Sequence, residues 1–277
     1  MDNKNITHSI VIQGGLGNQL FQIFALINYC IKHNYKWVFP KNMQVWDKRE
    51  TYWETCFKNL NMYTVDNSII DSFESYNSVF HYKEIPILSK NTTLNGYFQS
   101  EKYFKDNYAK IYKLIGFDRL REGIKRLIPE ENTISLHFRM GDFGNLAHHP
   151  LINDAYYNSS IRHILENTES KDFTIYYSCE QTDEHIASKR IQGMKTNFPT
   201  IKFKQISNQL DDYEQMLFMS CCNHNIIANS TFSWWSAYFN DNSGKIVCYP
   251  STWFGYAKRE LNLNDLHPNE WVKVDTN

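Results

Sequence analysis

Two short stretches carry the side chains best suited to chemistry on a charged ligand. "SLHFRMGDFGN" (135–145) follows an apolar run and supplies His137, Arg139 and Asp142 within six residues. An arginine at the end of a strand can donate a bidentate pair of hydrogen bonds to a phosphate, and Asp142 is placed to orient that arginine or the turn at Gly141. The same residues also suit a structural salt bridge beside a satisfied core histidine. "NIIANSTFSWWSAYF" (225–239) runs a short apolar segment into Asn229, Ser230 and Thr231. Such a cluster starts a helix, where free backbone N–H groups and the helix dipole attract anions. A diphosphate there would be held by those N–H groups and by the Ser230 and Thr231 hydroxyls. A plain capped helix with Trp234 and Trp235 in the core fits the same letters.

A third stretch, "VIQGGLGNQLFQ" (11–22), has three glycines in four positions between a strand-like and a helix-like run. It is not a dinucleotide fingerprint, because Leu20 stands where the third glycine belongs and no Asp or Glu occurs between Asp2 and Asp47. No Gly-Lys-Ser/Thr follows, so it is not a Walker loop either. Asn18 and Gln19 instead place two amides at a helix start. The letters Asp-Phe-Gly at 142–144 lack the glycine-rich loop and lysine strand of a kinase.

These residues must be held by alternating elements. Residues 8–13 and 35–40 read as strands around a helix at 18–33, and 41–100 as an irregular region with a few short elements. Beyond about residue 130, strands at 133–138, 173–178, 201–206, 225–229 and 245–250 alternate with helices near 154–169, 182–196, 211–222 and 231–240. That alternation predicts an α/β fold with parallel sheets and right-handed crossovers. The segment 123–132 is the expected boundary between an N-terminal domain (1–128) and a C-terminal one (129–277), whose last helix would pack back on the first.

Composition narrows the class. With 42% hydrophobic and 21% charged residues the chain can build a core. A net charge of −1 argues against a nucleic-acid partner. Its 16% of aromatics tilts toward a ring-shaped ligand. The six cysteines lack zinc spacing and read as buried free thiols, His148-His149 reads as a surface pair, and no Asp-x-Asp occurs, so no metal site is expected. Neither a signal peptide nor a transmembrane run is visible, which leads to the expectation of a cytoplasmic protein, free or peripheral to a membrane.

Together the three stretches resemble glycosyltransferase family 11, the α-1,2-fucosyltransferases, whose patterns include Gly-Gly-Leu-Gly-Asn-Gln-Leu-Phe-Gln, His-x-Arg-x-Gly-Asp and Asn-Ser-Ser/Thr-Phe-Ser-Trp-Trp. The resemblance runs from residue 11 to Trp271, with "DLHPNEW" (265–271) as its last part. It implies a GT-B fold: two Rossmann-like domains facing a cleft, the first on the acceptor side and the second binding the nucleotide sugar. It also implies inverting transfer of L-fucose from GDP-fucose to O2 of an acceptor glycan, with no cofactor and no metal. Carried over by position, Arg139 would bind the diphosphate and neutralise the leaving GDP, His137 would lie beside the nucleotide, and Asn229, Ser230 and Thr231 would hold phosphate oxygens. Gly15, Gly17, Asn18 and Gln19 would line the cleft, with Asn18 facing the sugar.

The sequence departs from the family at three places. Met140 replaces a second arginine, Tyr177-Ser178-Cys179-Glu180 replaces Phe-Ser-Asp-Asp, and Gln215 stands where an aspartate would meet the N–H groups of guanine. The last of these keeps open a donor such as UDP-L-rhamnose. A non-catalytic sugar-binding protein is the third reading. Inversion needs a base; Asp142 is the acid nearest the motifs, and the base stays unassigned.

Overall fold

A computed structural model describes residues 5–41, 51–141, 150–258 and 260–276. The chain groups into two compact units, Met1–Arg119 with Leu261–Asn269, and Leu120–Glu260 with Glu270–Asn277. The stretch 261–269 that groups with the first unit is built of turns and bends, so the expected returning helix is absent there.

In the first unit, β1 (Thr7–Ile10) leads into α1 (Leu16–His33) and β2 (Lys36–Trp37), followed by β3 (Phe39–Pro40) and β4 (Thr64–Val65). Then come a single turn, α2 (Asn67–Ile70), the strands β5 (Glu74–Asn77) and β6 (Thr92–Asn95), and the helices α3 (Tyr108–Ile115) and α4 (Phe117–Lys125). A parallel sheet runs β2-β1-β6-β5, and β3 pairs with β4 in a sheet of their own. The expected strand at 35–40 is therefore two: its first half pairs with β1 and its second with β4. Helix α1 buries residues on every side, from Leu20 and Phe21 to Ile27 and Cys30, as a helix apolar all round must. It stops at Asn34 in the left-handed conformation (φ 58°), with Lys32 and His33 in its last turn facing the negative end of the dipole. The lower half of α4 already belongs to the second unit, so the change of unit falls inside a helix rather than in the loop after it.

The second unit continues with β7 (Thr133–His137), α5 (Asp154–Glu166), β8 (Thr174–Ser178), α6 (Glu184–Asn197), β9 (Lys202–Gln205) and α7 (Asp212–Ser220). It closes with β10 (His224–Ile226), α8 (Thr231–Phe239), β11 (Val247–Pro250) and β12 (Val272–Val274). Its six strands are all parallel, in the order β12-β11-β10-β7-β8-β9. All five residues of β7 are buried, as expected of a central parallel strand covered on both faces. Edge strand β9, "KFKQ", is mostly exposed and carries two lysines that discourage pairing with another chain.

The chain leaves β7 toward β8 on one side and leaves β10 toward β11 on the other, although β7 and β10 are neighbours. The strand order therefore reverses between them, and open parallel sheets bind ligands outside the strand carboxyl ends at such a point. All six cysteines are free thiols, five of them buried. Among the described residues no helix is long and apolar enough to cross a membrane.

Candidate functional site

Both motifs of the second unit sit at this reversal. Strand β7 ends at His137, and the ladder continues one residue further through Phe138 N–H to the Ser178 carbonyl at 2.9 Å. Arg139 comes next, largely buried, and its guanidinium is ion-paired with the half-exposed carboxylate of Glu180, just beyond β8. The buried Asp183 accepts the Gly141 N–H at 2.5 Å, so the loops after two adjacent strands are joined. Gly141 packs close beneath the Glu180 carboxylate: a Cβ would stand 2.5 Å from Glu180 Oε2, which the half-exposed side chain would have to swing aside to admit. Glu180 and Asp183 were not among the residues picked from the sequence. Both follow a predicted strand, the place where loops carry function, and Glu180 also stands at the last position of the stretch that departs from the family's Phe-Ser-Asp-Asp.

His137 is buried, its ring centroid 5.3 Å from that of Phe232 in the first turn of α8. This contact brings the two motifs together. Tyr157 donates to the His137 carbonyl at 3.1 Å, while the ring Nδ1 has no hydrogen-bond partner among the described residues. Burial, and then the charge of Arg139, push the imidazole down to about 3, so it is neutral at pH 7 and interacts as a dipole.

At the other motif, Ser230 is the N-cap of α8, yet its side chain makes no capping bond and no acid lies in the first turn. The first N–H groups of a helix have no intrahelical partner, so this end is left able to bind an anion. Asn229 donates through Nδ2 to the carbonyls of Pro150 (3.0 Å) and Trp253 (3.2 Å), fixing the turn, while its buried Oδ1 is unpaired among the described residues. Asn229 thus shapes the helix start, and Thr231, half-buried, lies within its first turn. Trp234 and Trp235 are fully buried and belong to the core.

Gln215, expected to read the base, lies on α7 beside the end of β8. Its Oε1 accepts from Ser178 Oγ at 2.9 Å and its Nε2 donates to the Leu210 carbonyl at 3.1 Å. Both ends of the amide are engaged, leaving one N–H and one lone pair for a ligand. Asp142 and His148-His149 lie outside the described residues. Among the described residues, no three His, Cys, Asp or Glu side chains group as metal ligands.

In the first unit the glycine turn follows β1. Gly14 has φ +78°, and a Cβ there would also collide with Asn18 Nδ2, so this glycine, not Gly15 or Gly17, needs the freedom. Gly15 is the N-cap of α1 with ordinary backbone angles, and Gly17 is buried in its first turn. Gln19, expected to line the cleft, is fully buried, and its Nε2 donates to the Gly14 carbonyl at 3.0 Å. Gln22 does similar work, accepting from Gln13 N–H at 2.9 Å. Packing of α1 onto the sheet turns both amides inward, which a linear pattern does not reveal. Asn18 stays half-buried, and its Oδ1 accepts from Gln99 Nε2 at 2.8 Å.

Known proteins share the fold. A solved structure of a mutant of Arabidopsis thaliana FUT1 in complex with GDP is similar at a TM-score of 0.51 and 12% identity, over 88% of this chain and 70% of that one. A glycosyl transferase of family 9 from Veillonella parvula reaches 0.52 at 9% identity, over 100% and 89%. The fold is accordingly α/β of the GT-B glycosyltransferase type, with Rossmann-like parallel sheets. Among curated relatives, an α-1,2-colitosyltransferase of Escherichia coli is 29% identical over 65% of this chain and 61% of its own length. The O-antigen biosynthesis glycosyltransferase WbnK, also of Escherichia coli, is 34% identical over 54% of this chain and 47% of its own. The match thus covers only about half to three-fifths of those relatives. A family model, glycosyl transferase family 11, matches residues 55–275, and the chain belongs to that family.

Proposed function

We propose that the protein is an inverting glycosyltransferase that moves L-fucose from GDP-fucose to O2 of an acceptor sugar. The observation that carries the reading is that the Arg139 loop and the uncapped, acid-free start of α8 both follow strands at the reversal of the second unit, joined by the contact of His137 with Phe232. A guanidinium and a helix N-terminus suit a diphosphate, and both act on charge that grows as the bond breaks. In the reaction the acceptor oxygen attacks the anomeric carbon from the face opposite the phosphate. The bond from that carbon to the phosphate oxygen breaks, GDP departs with the electron pair, and the acceptor proton passes to a base. Arg139 exchanges the Glu180 carboxylate for phosphate oxygens, and the neutral His137 packs beside them. The second unit takes the nucleotide, and the glycine turn of the first, with Asn18, takes sugar. The GDP of the similar FUT1 structure fits the nucleotide, and no step is assigned to a metal.

The name of the colitosyltransferase relative favours a second reading, a donor carrying the 3-deoxy counterpart of L-fucose. Thermal shift with GDP and UDP, followed by product analysis with GDP-fucose and GDP-colitose, tests both readings. GDP is expected to stabilise the protein and UDP not to; stabilisation by UDP alone would sink the guanine reading, and colitose transfer without fucose transfer would select the second.

A further inference from the structure

Gln99 lies in the loop after β6, beside the glycine turn after the neighbouring strand β1. It is buried, and its Nε2 reaches across to Asn18 Oδ1 at 2.8 Å. A terminal amide can be turned over with little change of shape, exchanging its donor and acceptor ends. Here the Gln99 N–H faces the Asn18 oxygen, and the Asn18 nitrogen lies over the bare Cα of Gly14.

The loop that delivers Gln99 is itself held out of the ordinary. Phe98, directly before it, has φ +52°, rare for a bulky residue. Its fully buried ring packs edge-on against Tyr103 at 5.1 Å, so tertiary contacts impose that backbone. Strain of this kind persists only where the surroundings over-determine it, and it gathers at functional sites. Gln99 Oε1 is also buried without a partner among the described residues. The amide therefore gains its satisfaction chiefly through Asn18.

We infer that Gln99 is a positioning residue that fixes the Asn18 amide with its oxygen inward, so that Asn18 meets the sugar as a hydrogen-bond donor. The inference rests on the reading, given above, that Asn18 contacts the sugar. Such a donor suits a hydroxyl or ring oxygen and excludes acceptance from the same ligand group.

The test uses the whole protein, with GDP release from GDP-fucose as the activity, thermal unfolding as a check on folding, and 15N NMR of the Asn18 side-chain NH2. Asn18→Ala and Gln99→Ala each lower turnover by about 10- to 100-fold, and the double variant falls no further than Asn18→Ala alone. Gln99→Glu, nearly the same shape but able only to accept, turns Asn18 over and loses as much as Gln99→Ala. In Gln99→Ala the Asn18 NH2 order parameter drops, a readout independent of any substrate. An unchanged order parameter, losses that multiply in the double variant, or full activity in Gln99→Ala beside a crippled Asn18→Ala each overturn the inference alone. Full activity in Asn18→Ala instead overturns the assigned role of Asn18, and the role of Gln99 with it.

Discussion

Each unit of this protein ends two neighbouring parallel strands in polar loops, and the two pairs of loops differ in charge. In the second unit they hold Arg139, Glu180 and Asp183, and the acid-free start of α8 follows the next strand, β10. In the first unit neither 11–19 nor 96–100 contains a charged residue, and the work falls to the amides of Asn18, Gln19 and Gln99. One pair is suited to an anion. The other is suited to a neutral, hydroxyl-rich molecule, for which donors and acceptors of fixed direction matter more than net charge. A common layer architecture thus presents two different chemistries through loop content alone.

That contrast can be broken most directly at Arg139. Arg139→Ala is expected to lower transfer by about 100-fold or more and to abolish stabilisation by GDP while the protein stays folded; near-normal kinetics would remove the arginine from the anion site. The matching change in the first unit, Asn18→Asp, puts a charge among neutral amides and removes a donor. Turnover should fall about 10- to 100-fold, yet GDP should still stabilise the variant as well as it does wild type. A lost GDP shift there would erase the distinction between the two loop pairs.

Glu180 sharpens the comparison further. Its carboxylate is half exposed, so its pair with Arg139 is worth only about 0.2–1 kcal/mol. Glu180→Gln should therefore tighten GDP binding by at most about fivefold, as calorimetry would measure; weaker binding would mean that Glu180 orients Arg139 instead of competing with phosphate.

Acid should weaken one buried strand in each unit. Burial pushes His8 of β1 and His224 of β10 each down to about 4, below an unfolded value of about 6.5. The folded state holds both neutral, so their stabilisation is complete above about pH 6.5. It declines as pH falls toward about 4, where the unfolded chain binds protons that the folded one refuses. Amide exchange in β1 and β10 should accelerate together over that window; protection unchanged down to about pH 5 in either strand would contradict this.

Much of the second unit was legible because its strands are apolar and its helices periodic: β7, β8 and β11 lie within the segments expected of them. The strand expected at 225–229 is shorter: β10 ends at Ile226, its ladder to β11 runs on through the Ile227 N–H, and the chain then turns at Ala228 to Ser230 into α8. In the first unit β5 and β6, "ESYN" and "TTLN", were hidden within the irregular region. The edge strand β5 exposes nearly all its side chains, and β6 buries threonine where a hydrophobic residue would have announced it. For the candidate site, His137, Arg139 and the Asn229 helix start could be found from their types and spacing. Asp183 and Gln99 could not, and Glu180 showed only as a departure from the family pattern without its partner, since each acts on a residue some forty or eighty positions away.

The sequence by itself determined the alternation of strand and helix, the three polar stretches after strands, and the family, whose model matches residues 55–275. Periodicity and residue type are local properties, and local properties can be read along a line. Only the tertiary structure decided that the chain reverses between β7 and β10, setting His137 against Phe232 in the first turn of α8. It alone decided that Gln19 is enclosed while its neighbour Asn18 is held by Gln99. Which amide faces inward depends on the angle at which α1 packs on its sheet and on a loop eighty residues away, and no local pattern encodes either.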